Sequence, residues 1–517
     1  MPAPSAATFA RLANLIAIDD ASDRATRPIV EAFSGREIAT IPVGTADDAT
    51  AAIERARVAQ AAWAARPVAE RARIFHRYRD LVLDRREELM DMAQAETGKS
   101  RASAQEEVVD IAMTARYYAR AAEKLLRPRR ATGMLPGLTK TVVRHHPKGV
   151  VGVISPWNYP MTLAVSDAIP ALLAGNAVVL KPDSQTPYCA LACVELMYEA
   201  GLPRELIAVV PGPGSVVGTA LVENTDYLMF TGSSQTGRLL AEQAGRRLIG
   251  FSAELGGKNP MIVAAGANLR EVTDAAVRAC FSNSGQLCIS IERIYVEKSI
   301  APEFIRMLGD RVRKMTLGSG YEFGTEMGCL VNETQVKAVS AHVDDAVVKG
   351  ATVVAGGKAR PDLGPLFYEP TVLTDVPEDA ECYREETFGP LVSVYPVDTV
   401  DEAIRRANDT EYGLNASVWA ATKAQGEAIA ARVRAGTVNV DEGYAPAWAS
   451  TDAPMGGMGI SGVGRRHGPD GLLKYTESQT VATTRILNLG GPRGLPPKLW
   501  AKIIPLFIRS LQWLPGR

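Results

Sequence analysis

Gly149-Val150-Val151-Gly152-Val153-Ile154-Ser155-Pro156-Trp157-Asn158-Tyr159-Pro160 decides the fold. Residues 150–154 are apolar without interruption, and turn formers bound them on both sides. A run of this kind reads as a strand buried on both faces, as parallel sheets require. The loop that follows leads into an apolar helical segment ending near Gly175. Ala177-Val178-Val179-Leu180 repeats the strand pattern, a helix spans 188–200 and stops at Gly201, and Ile207-Ala208-Val209-Val210 makes a third strand. Tyr227-Leu228-Met229-Phe230 makes a fourth, and Thr231-Gly232-Ser233 opens a helix running through Ala244. Strands alternating with helices build βαβ units, so the expected class is α/β with a doubly wound, Rossmann-type sheet.

Outward from this stretch the texture changes twice. Residues 47–126 carry apolar side chains at three- and four-residue spacing, as in Ile74, Tyr78 and Leu81, and read as helical. Arg127-Pro128-Arg129-Arg130 and Gly133 break that pattern, and Thr141–Arg144 reads as a short strand. Downstream, a second alternation runs from about 261 to 441, with strands at 293–297, 393–396, 416–419 and 437–440. It predicts a second α/β domain, with a cleft between the two near Gly256-Gly257.

Bulk properties narrow the function. Fifty-seven basic residues against 58 acidic ones leave a net charge of −1 over 517 residues, which argues against a general nucleic-acid or membrane-surface binder. Six cysteines are too few for a disulfide scaffold. The N-terminus lacks a basic start followed by an apolar run, and a reduced, cytoplasmic protein is expected. No stretch of about 20 apolar residues occurs, so no membrane span is expected. Leu499–Arg509 is apolar with cationic punctuation. Interrupted by Pro505, it is expected to dock on a neighbouring subunit rather than to lie as a helix on a membrane.

Open α/β sheets bind ligands beyond the carboxyl ends of their strands. Gly232-Ser233 follows a strand and opens a helix, whose free N–H groups and dipole suit a phosphate. Lys181-Pro182 closes the second strand, where an ammonium meets ribose or phosphate. Trp157 and Asn158 follow the first strand. Gly212-Pro213-Gly214 with Gly218 is one residue longer than the dinucleotide fingerprint and is a weak signal. Each feature alone also reads as a helix cap or a solvated strand end; their common placement favours a dinucleotide. At Ser184 a carboxylate would bond ribose hydroxyls and repel a 2′-phosphate. Serine removes that repulsion, so NADP is the expected cofactor with NAD as the alternative; Asp183 next door weakens this inference, since the sequence does not give the direction of its side chain.

Chemistry concentrates in Phe281-Ser282-Asn283-Ser284-Gly285-Gln286-Leu287-Cys288-Ile289-Ser290 and in Glu254 of Glu-Leu-Gly-Gly. Cys288 follows a Gly285-Gln286 loop that lets backbone approach a ligand, whereas the other cysteines read mostly as small buried hydrophobes. Cys189 and Cys193 are four apart on a helix, but no second pair completes a metal site, and no metal is expected. A thiolate attacking an aldehyde forms an oxyanion, for which the Cys288 N–H and the Asn158 amide are the candidate donors. Loss of hydride to a nicotinamide leaves a thioester, and Glu254 is the candidate base for its hydrolysis.

Taken together, Pro156-Trp157-Asn158, Lys181-Pro182, Phe230-Thr231-Gly232-Ser233, Glu254-Leu255-Gly256-Gly257, Gly285-Gln286-Leu287-Cys288 and Glu386-Thr387-Phe388-Gly389-Pro390 resemble the aldehyde dehydrogenase superfamily over about residues 30–490. The resemblance implies Cys288 as nucleophile, Glu254 as general base and Asn158 as oxyanion donor. It implies that Trp157, Lys181, Pro182, Asp183, Ser184, Gly232, Ser233 and Leu255 contact the dinucleotide and that Glu386 holds the nicotinamide ribose. It also implies an oligomerisation arm, built from about 128–148 and a strand near 476–488, in a homodimer or homotetramer. The implied division is 1–127 and 149–254 for NAD(P) binding, 255–460 for catalysis, 128–148 and 461–492 for the arm, and 493–517 as a C-terminal tail.

Within that superfamily the chain resembles the NADP-linked, second-type succinate-semialdehyde dehydrogenases of actinobacteria, through Lys181–Tyr188 and Ser282–Gly285. Better-understood succinate-semialdehyde enzymes clamp the substrate carboxylate with arginines where this chain has Ser166 and Ser282, and they carry a resolving cysteine where it has Ser290. The resemblance implies oxidation of succinate semialdehyde with NADP as the expected reaction, while the serines in place of the arginine clamp point to the alternative, a broader-range enzyme acting on non-acidic aldehydes. Glu254 argues against a CoA-acylating relative, and the intact Cys288, Glu254 and Asn158 set argues against a non-catalytic protein on this fold.

Overall fold

Apolar runs of the 150–154 kind assemble into the first of two large sheets. The computed structural model describes residues 3–133, 139–484, 490–492 and 494–511. Six strands lie in the order Gly462–Val463, Gly250–Glu254, Tyr227–Thr231, Val150–Ile154, Ala177–Lys181, Ile207–Val209. All are parallel except Gly462–Val463, which runs antiparallel to Gly250–Glu254. Every residue of Val150–Ile154 is buried, as its lack of alternation required. Chain order reverses on either side of that strand, which makes its carboxyl end the switch point of a doubly wound sheet. Ile154 pairs with Phe230 on one side and Lys181 on the other, so the three strand ends are level.

The helical region upstream is four helices, Ala46–Ala65, Val68–Asp84, Arg86–Thr97 and Arg101–Leu126. Gly98 ends the third with φ +72°, and a Cβ there would collide with the Cys329 sulfur. Only glycine satisfies both demands, and the stop sets the direction of Lys99.

The second sheet has seven strands in the order Thr352–Ala355, Thr371–Thr374, Leu391–Val397, Ile291–Glu297, Asn259–Val263, Asn415–Trp419, Thr437–Val440. Its strands are parallel except the antiparallel edge Thr352–Ala355. A third, antiparallel sheet joins Thr476–Thr484, Thr139–Pro147 and Arg129–Ala131, with Thr476 opposite Pro147 and Thr484 opposite Thr139. The expected arm segments thus pair within the chain.

Three expectations need correction. Residues 461–475 do not lie in the arm: Gly462–Val463 completes the first sheet, and Leu472 and Tyr475 are buried in its core, so the arm strand starts at Thr476. The segment ending near Gly175 is two short helices, Thr162–Val165 and Ala168–Leu173, separated at Ser166 and Asp167, whose side chains bond elsewhere. Pro505 does not stop the C-terminal helix, which runs from Pro497 to Leu511; the proline removes one N–H, and Ala501, four residues back, is exposed to water. Expectations for 134–138, 485–489, 493 and 512–517 fall outside the described residues. Among the described residues, no helix is long and apolar enough to cross a membrane.

Candidate active site

Cys288 is held by a reversal that the sequence encodes in four residues. The helix Leu269–Phe281 ends, and Asn283, Ser284 and Gly285 all take left-handed conformations, at φ 51°, 57° and 72°. Asparagine and glycine adopt this region readily; serine does so at a cost. The Ser284 hydroxyl, within reach of the carbonyl oxygens of Gly328 (3.1 Å) and Cys329 (3.2 Å), helps offset it. A Cβ at Gly285 would collide with the Gly389 carbonyl, so the loop is pinned against Gly389-Pro390. Gln286 clamps the turn: Nε2 donates to Asn283 O (3.0 Å), and Oε1 accepts from Val331 N (2.9 Å). Beyond the thiol, Asn259 Nδ2 donates to the carbonyls of Cys288 (2.8 Å) and Ser290 (2.7 Å). Cys288 is the only one of the six cysteines that is not fully buried.

Asn158 is tied to this loop at both ends. Its Nδ2 donates to Gln286 O (3.1 Å), and its backbone carbonyl accepts from Asn283 Nδ2 (2.9 Å) and Lys99 Nζ (2.7 Å). Lys99 pairs with Glu107 (2.5 Å), and Glu107 in turn accepts from the N–H groups of Met161 (2.8 Å) and Thr162 (3.1 Å). Both partners are buried, and breaking such a pair from one side costs about 3–5 kcal/mol. This ion pair, which the sequence reading passed over, fixes the Trp157–Pro160 loop against the Cys288 loop.

Glu254 ends the strand Gly250–Glu254 and is buried. Burial lifts its carboxyl to about 7, although Arg466 and then Lys474 act in the opposite sense. Those cations are largely engaged by Asp167, which pairs with Arg466 and with Lys474 Nζ (3.1 Å) and accepts from Tyr475 OH (3.2 Å). Burial alone would raise Asp167, but Arg466 and Lys474 hold it down at about 2. Burial, with Glu254 and Glu386 close by, pushes the Cys288 thiol up to about 12.

Glu386 lies against the Gly256-Gly257 turn. Its Oε1 accepts from Gly257 N (2.7 Å), and a Cβ at Gly256 would collide with the carboxylate. Burial, reinforced by Glu292, lifts it to about 8. Glu292, paired with Lys258 (2.5 Å), accepts from the N–H groups of Thr387 and Phe388 and so orients the segment that carries Glu386. Phe388 meets Trp157 edge to face at 5.5 Å.

Two cavities flank the thiol. One is lined by Trp157, Asn158, Gly232, Ser233, Glu254, Leu255, Cys288 and Glu386, which unites eight of the predicted site residues. The other is lined by Glu106, Asp110, Asn158, Tyr159, Cys288, Tyr444 and Trp448, with Arg466 and His467 at its wall. Asn158 and Cys288 are common to both. Lys181, Pro182, Asp183 and Ser184 lie outside the first cavity, at the end of the neighbouring strand. There Lys181 Nζ donates to Pro182 O (2.8 Å), and burial depresses its pKa. Asp183 closes its own turn by accepting from Gln185 N (2.9 Å), and Ser184 Oγ donates to Gly212 O (3.2 Å). Ser233 caps the helix Ser234–Arg247 by accepting from Thr236 N, and no acidic residue occupies the first turn.

This arrangement fits a dinucleotide: a helix N-terminus without acidic neighbours suits its phosphates, the level strand ends carry Lys181 and Ser184, and the close approach of Gly256 leaves Glu386 facing the cavity. When bound, a nicotinamide supplies the hydride acceptor. A model of the aldehyde dehydrogenase family matches residues 18–481. The chain belongs to the aldehyde dehydrogenase family. Its C-terminal helix lies beyond the matched segment. The enzyme is 69% identical, over the full length of both chains, to a protein of Mycolicibacterium smegmatis provisionally named succinate-semialdehyde dehydrogenase (NADP(+)). Among solved structures it is similar to an NADP-dependent enzyme of E. coli (34% identity, TM-score 0.85, 89% of this chain and 95% of that one). It is also similar to the betaine aldehyde dehydrogenase of Staphylococcus aureus in complex with NAD+ (32% identity, TM-score 0.87, 93% of this chain and 98% of that one).

The second cavity departs from an anion clamp. Ser166 Oγ bonds Asp110 (2.9 Å), and Thr162 Oγ1 bonds the same oxygen. The Tyr444 hydroxyl bridges Glu106 (2.8 Å) and Ser282 (3.0 Å), and Tyr159 OH donates to the other oxygen of Glu106 (2.9 Å). Arg466 is committed to Asp167, and burial lowers His467 to about 4, leaving it neutral at physiological pH.

Proposed function

We propose that this enzyme oxidises an aldehyde to a carboxylic acid with NADP+ through a thioester on Cys288, and that succinate semialdehyde is its substrate. One observation carries the reaction: Cys288 and Asn158 stand where the cofactor cavity meets the second cavity, with Glu254 lining the former. The Cys288 sulfur gives up its proton to solvent as it attacks the carbonyl carbon, and the Cys288 N–H and the remaining Asn158 N–H steady the oxyanion. Hydride departure leaves the acyl group on sulfur. Glu254 then takes a proton from water, which releases the carboxylic acid and restores the thiol. The name carried by the full-length relatives supports succinate semialdehyde and NADP+.

A second reading, a broader-range enzyme for non-acidic aldehydes, draws on the carboxylates of Glu106 and Asp110 beside Ser166 and Ser282. Steady-state rates with succinate semialdehyde and butyraldehyde separate the two. The main reading expects the larger kcat/KM with succinate semialdehyde, and the reverse ranking selects the second. Cofactor choice is assigned to Ser184: Ser184→Glu should shift the NAD+ to NADP+ ratio of kcat/KM toward NAD+ by roughly tenfold or more, through ribose bonding and phosphate repulsion. An unchanged ratio would place the selection elsewhere.

The sheet of Val150–Ile154 is assigned to cofactor binding and the seven-stranded sheet to catalysis. The arm, whose edge strand Thr476–Thr484 is exposed beyond its first residue, is assigned to a homodimer or homotetramer in the cytoplasm.

A further inference from the structure

The C-terminal helix carries a face that neither the reaction nor the family fold uses. In Pro497–Leu511, Lys498, Lys502 and Arg509 fall within about 40° of one another at 3.6 residues per turn, and they form one narrow basic stripe. Leu499, Trp500, Ile503, Ile504, Phe507 and Ile508 spread over the opposite side. Trp500, Ile504 and Phe507 are half-buried, but Leu499, Ile503, Leu506 and Ile508 beside them are 47%, 39%, 65% and 57% exposed, so the helix leaves much of its apolar side uncovered. Among the described residues the three cations enter no salt bridge. The charge of −1 over the whole chain conceals a local asymmetry: Glu477 is the last acidic residue, and Arg485, Arg493, Lys498, Lys502, Arg509 and Arg517 follow it.

We propose that this helix lies on an anionic lipid surface, with its apolar side sunk to the acyl boundary and its basic stripe level with the headgroups. Two observations select a bilayer over a second copy of the chain. The polar stripe is purely cationic, which matches a field of negative charge, whereas an ordinary subunit interface presents mixed signs. The apolar arc is also wider than the single stripe that helix-on-protein docking buries, and its exposed part, Leu499, Ile503, Leu506 and Ile508, is made of the large aliphatic side chains that enter a lipid boundary. The continuous helix through Pro505 makes this possible, because both faces keep their register from end to end. The helix is fifteen residues long and lies on the surface without spanning it.

Flotation of the full-length enzyme with vesicles tests this. The protein should float with vesicles of phosphatidylcholine mixed with phosphatidylglycerol, and float far less with phosphatidylcholine alone or at high salt. The triple variant Lys498→Glu, Lys502→Glu, Arg509→Glu should lower partitioning by roughly 100-fold while leaving aldehyde oxidation in solution at its wild-type rate. Ile503→Asp with Leu506→Asp should weaken binding to both vesicle types. Absence of flotation, or equal flotation with both lipid mixtures, overturns the proposal. So does a drop in oligomer mass on removal of residues 494–517 without any vesicle binding, which would assign the face to a second subunit.

Discussion

Replacing Cys288 by alanine should lower aldehyde-dependent reduction of NADP+ by roughly 10^6-fold, the scale on which covalent enzymes lose turnover with their nucleophile. No other thiol lines either cavity, and the remaining five are buried, so none can substitute. The oxyanion donors survive in the variant but have nothing to stabilise without a sulfur–carbon bond. The same thiol predicts a second measurement. With its pKa pushed up to about 12 by burial and by Glu254 and Glu386, Cys288 holds its proton at neutral pH in the ligand-free protein. Alkylation by iodoacetamide, monitored at Cys288 by peptide mass, should therefore be slow at about pH 7 and climb about tenfold per pH unit toward alkaline solution. A rate that is fast and flat between about pH 6 and 9 would mean a thiolate already formed and a different electrostatic design around the sulfur.

What could be read in advance divides along a physical line. Val150–Ile154 and its neighbours are continuous apolar runs, and continuity is a local property, so four strands of the first sheet followed from sequence, while their order and the switch point came from the tertiary structure. Thr352–Ala355 and Thr371–Thr374 were not named: each is four residues long, and half of the first is exposed, leaving little pattern to recognise. Gly462–Val463 was assigned to the wrong unit because a two-residue edge strand has no period at all; its place comes from pairing with Ala253 and Glu254. Cys288, Glu254 and Asn158 stand in distinctive motifs, whereas Lys99, Asp167 and Arg466 do not. Lys99 reaches Asn158 only because Gly98 stops a helix and Glu107, on the next one, neutralises the ammonium. Asp167 and Arg466 are far apart in the chain and meet only when Gly462–Val463 folds onto the first sheet. Charge partners of this kind are invisible until the tertiary structure supplies the distance.

Glu254→Gln separates the two halves of the reaction. Glutamine preserves shape and packing but cannot take a proton, so acylation should proceed while hydrolysis stalls. Rapid mixing should show a burst of one NADPH per Cys288, followed by steady turnover slower by roughly 10^2–10^4-fold, the usual contribution of a general base. In the wild-type enzyme the carboxyl titrates near 7, lifted by burial and moderated by Arg466 and Lys474, and only its ionised form accepts a proton from water. The rate of thioester hydrolysis should therefore rise with pH through about 7 and level above it, and that rise should vanish in the variant. Stability supplies an independent check of the same carboxyl. Its folded pKa lies above its unfolded one, so its ionisation erodes stability as pH climbs from about 4 to 7, by about 3 kcal/mol in all. The erosion is complete at about pH 8 and absent at about pH 4, and glutamine escapes it. Thermal unfolding should accordingly show Glu254→Gln more stable than wild type at about pH 8 and level with it near about pH 4. A variant that keeps full turnover, or that shows neither the burst nor the alkaline gain in Tm, would remove Glu254 from the role of base and from the buried position that gives it that role.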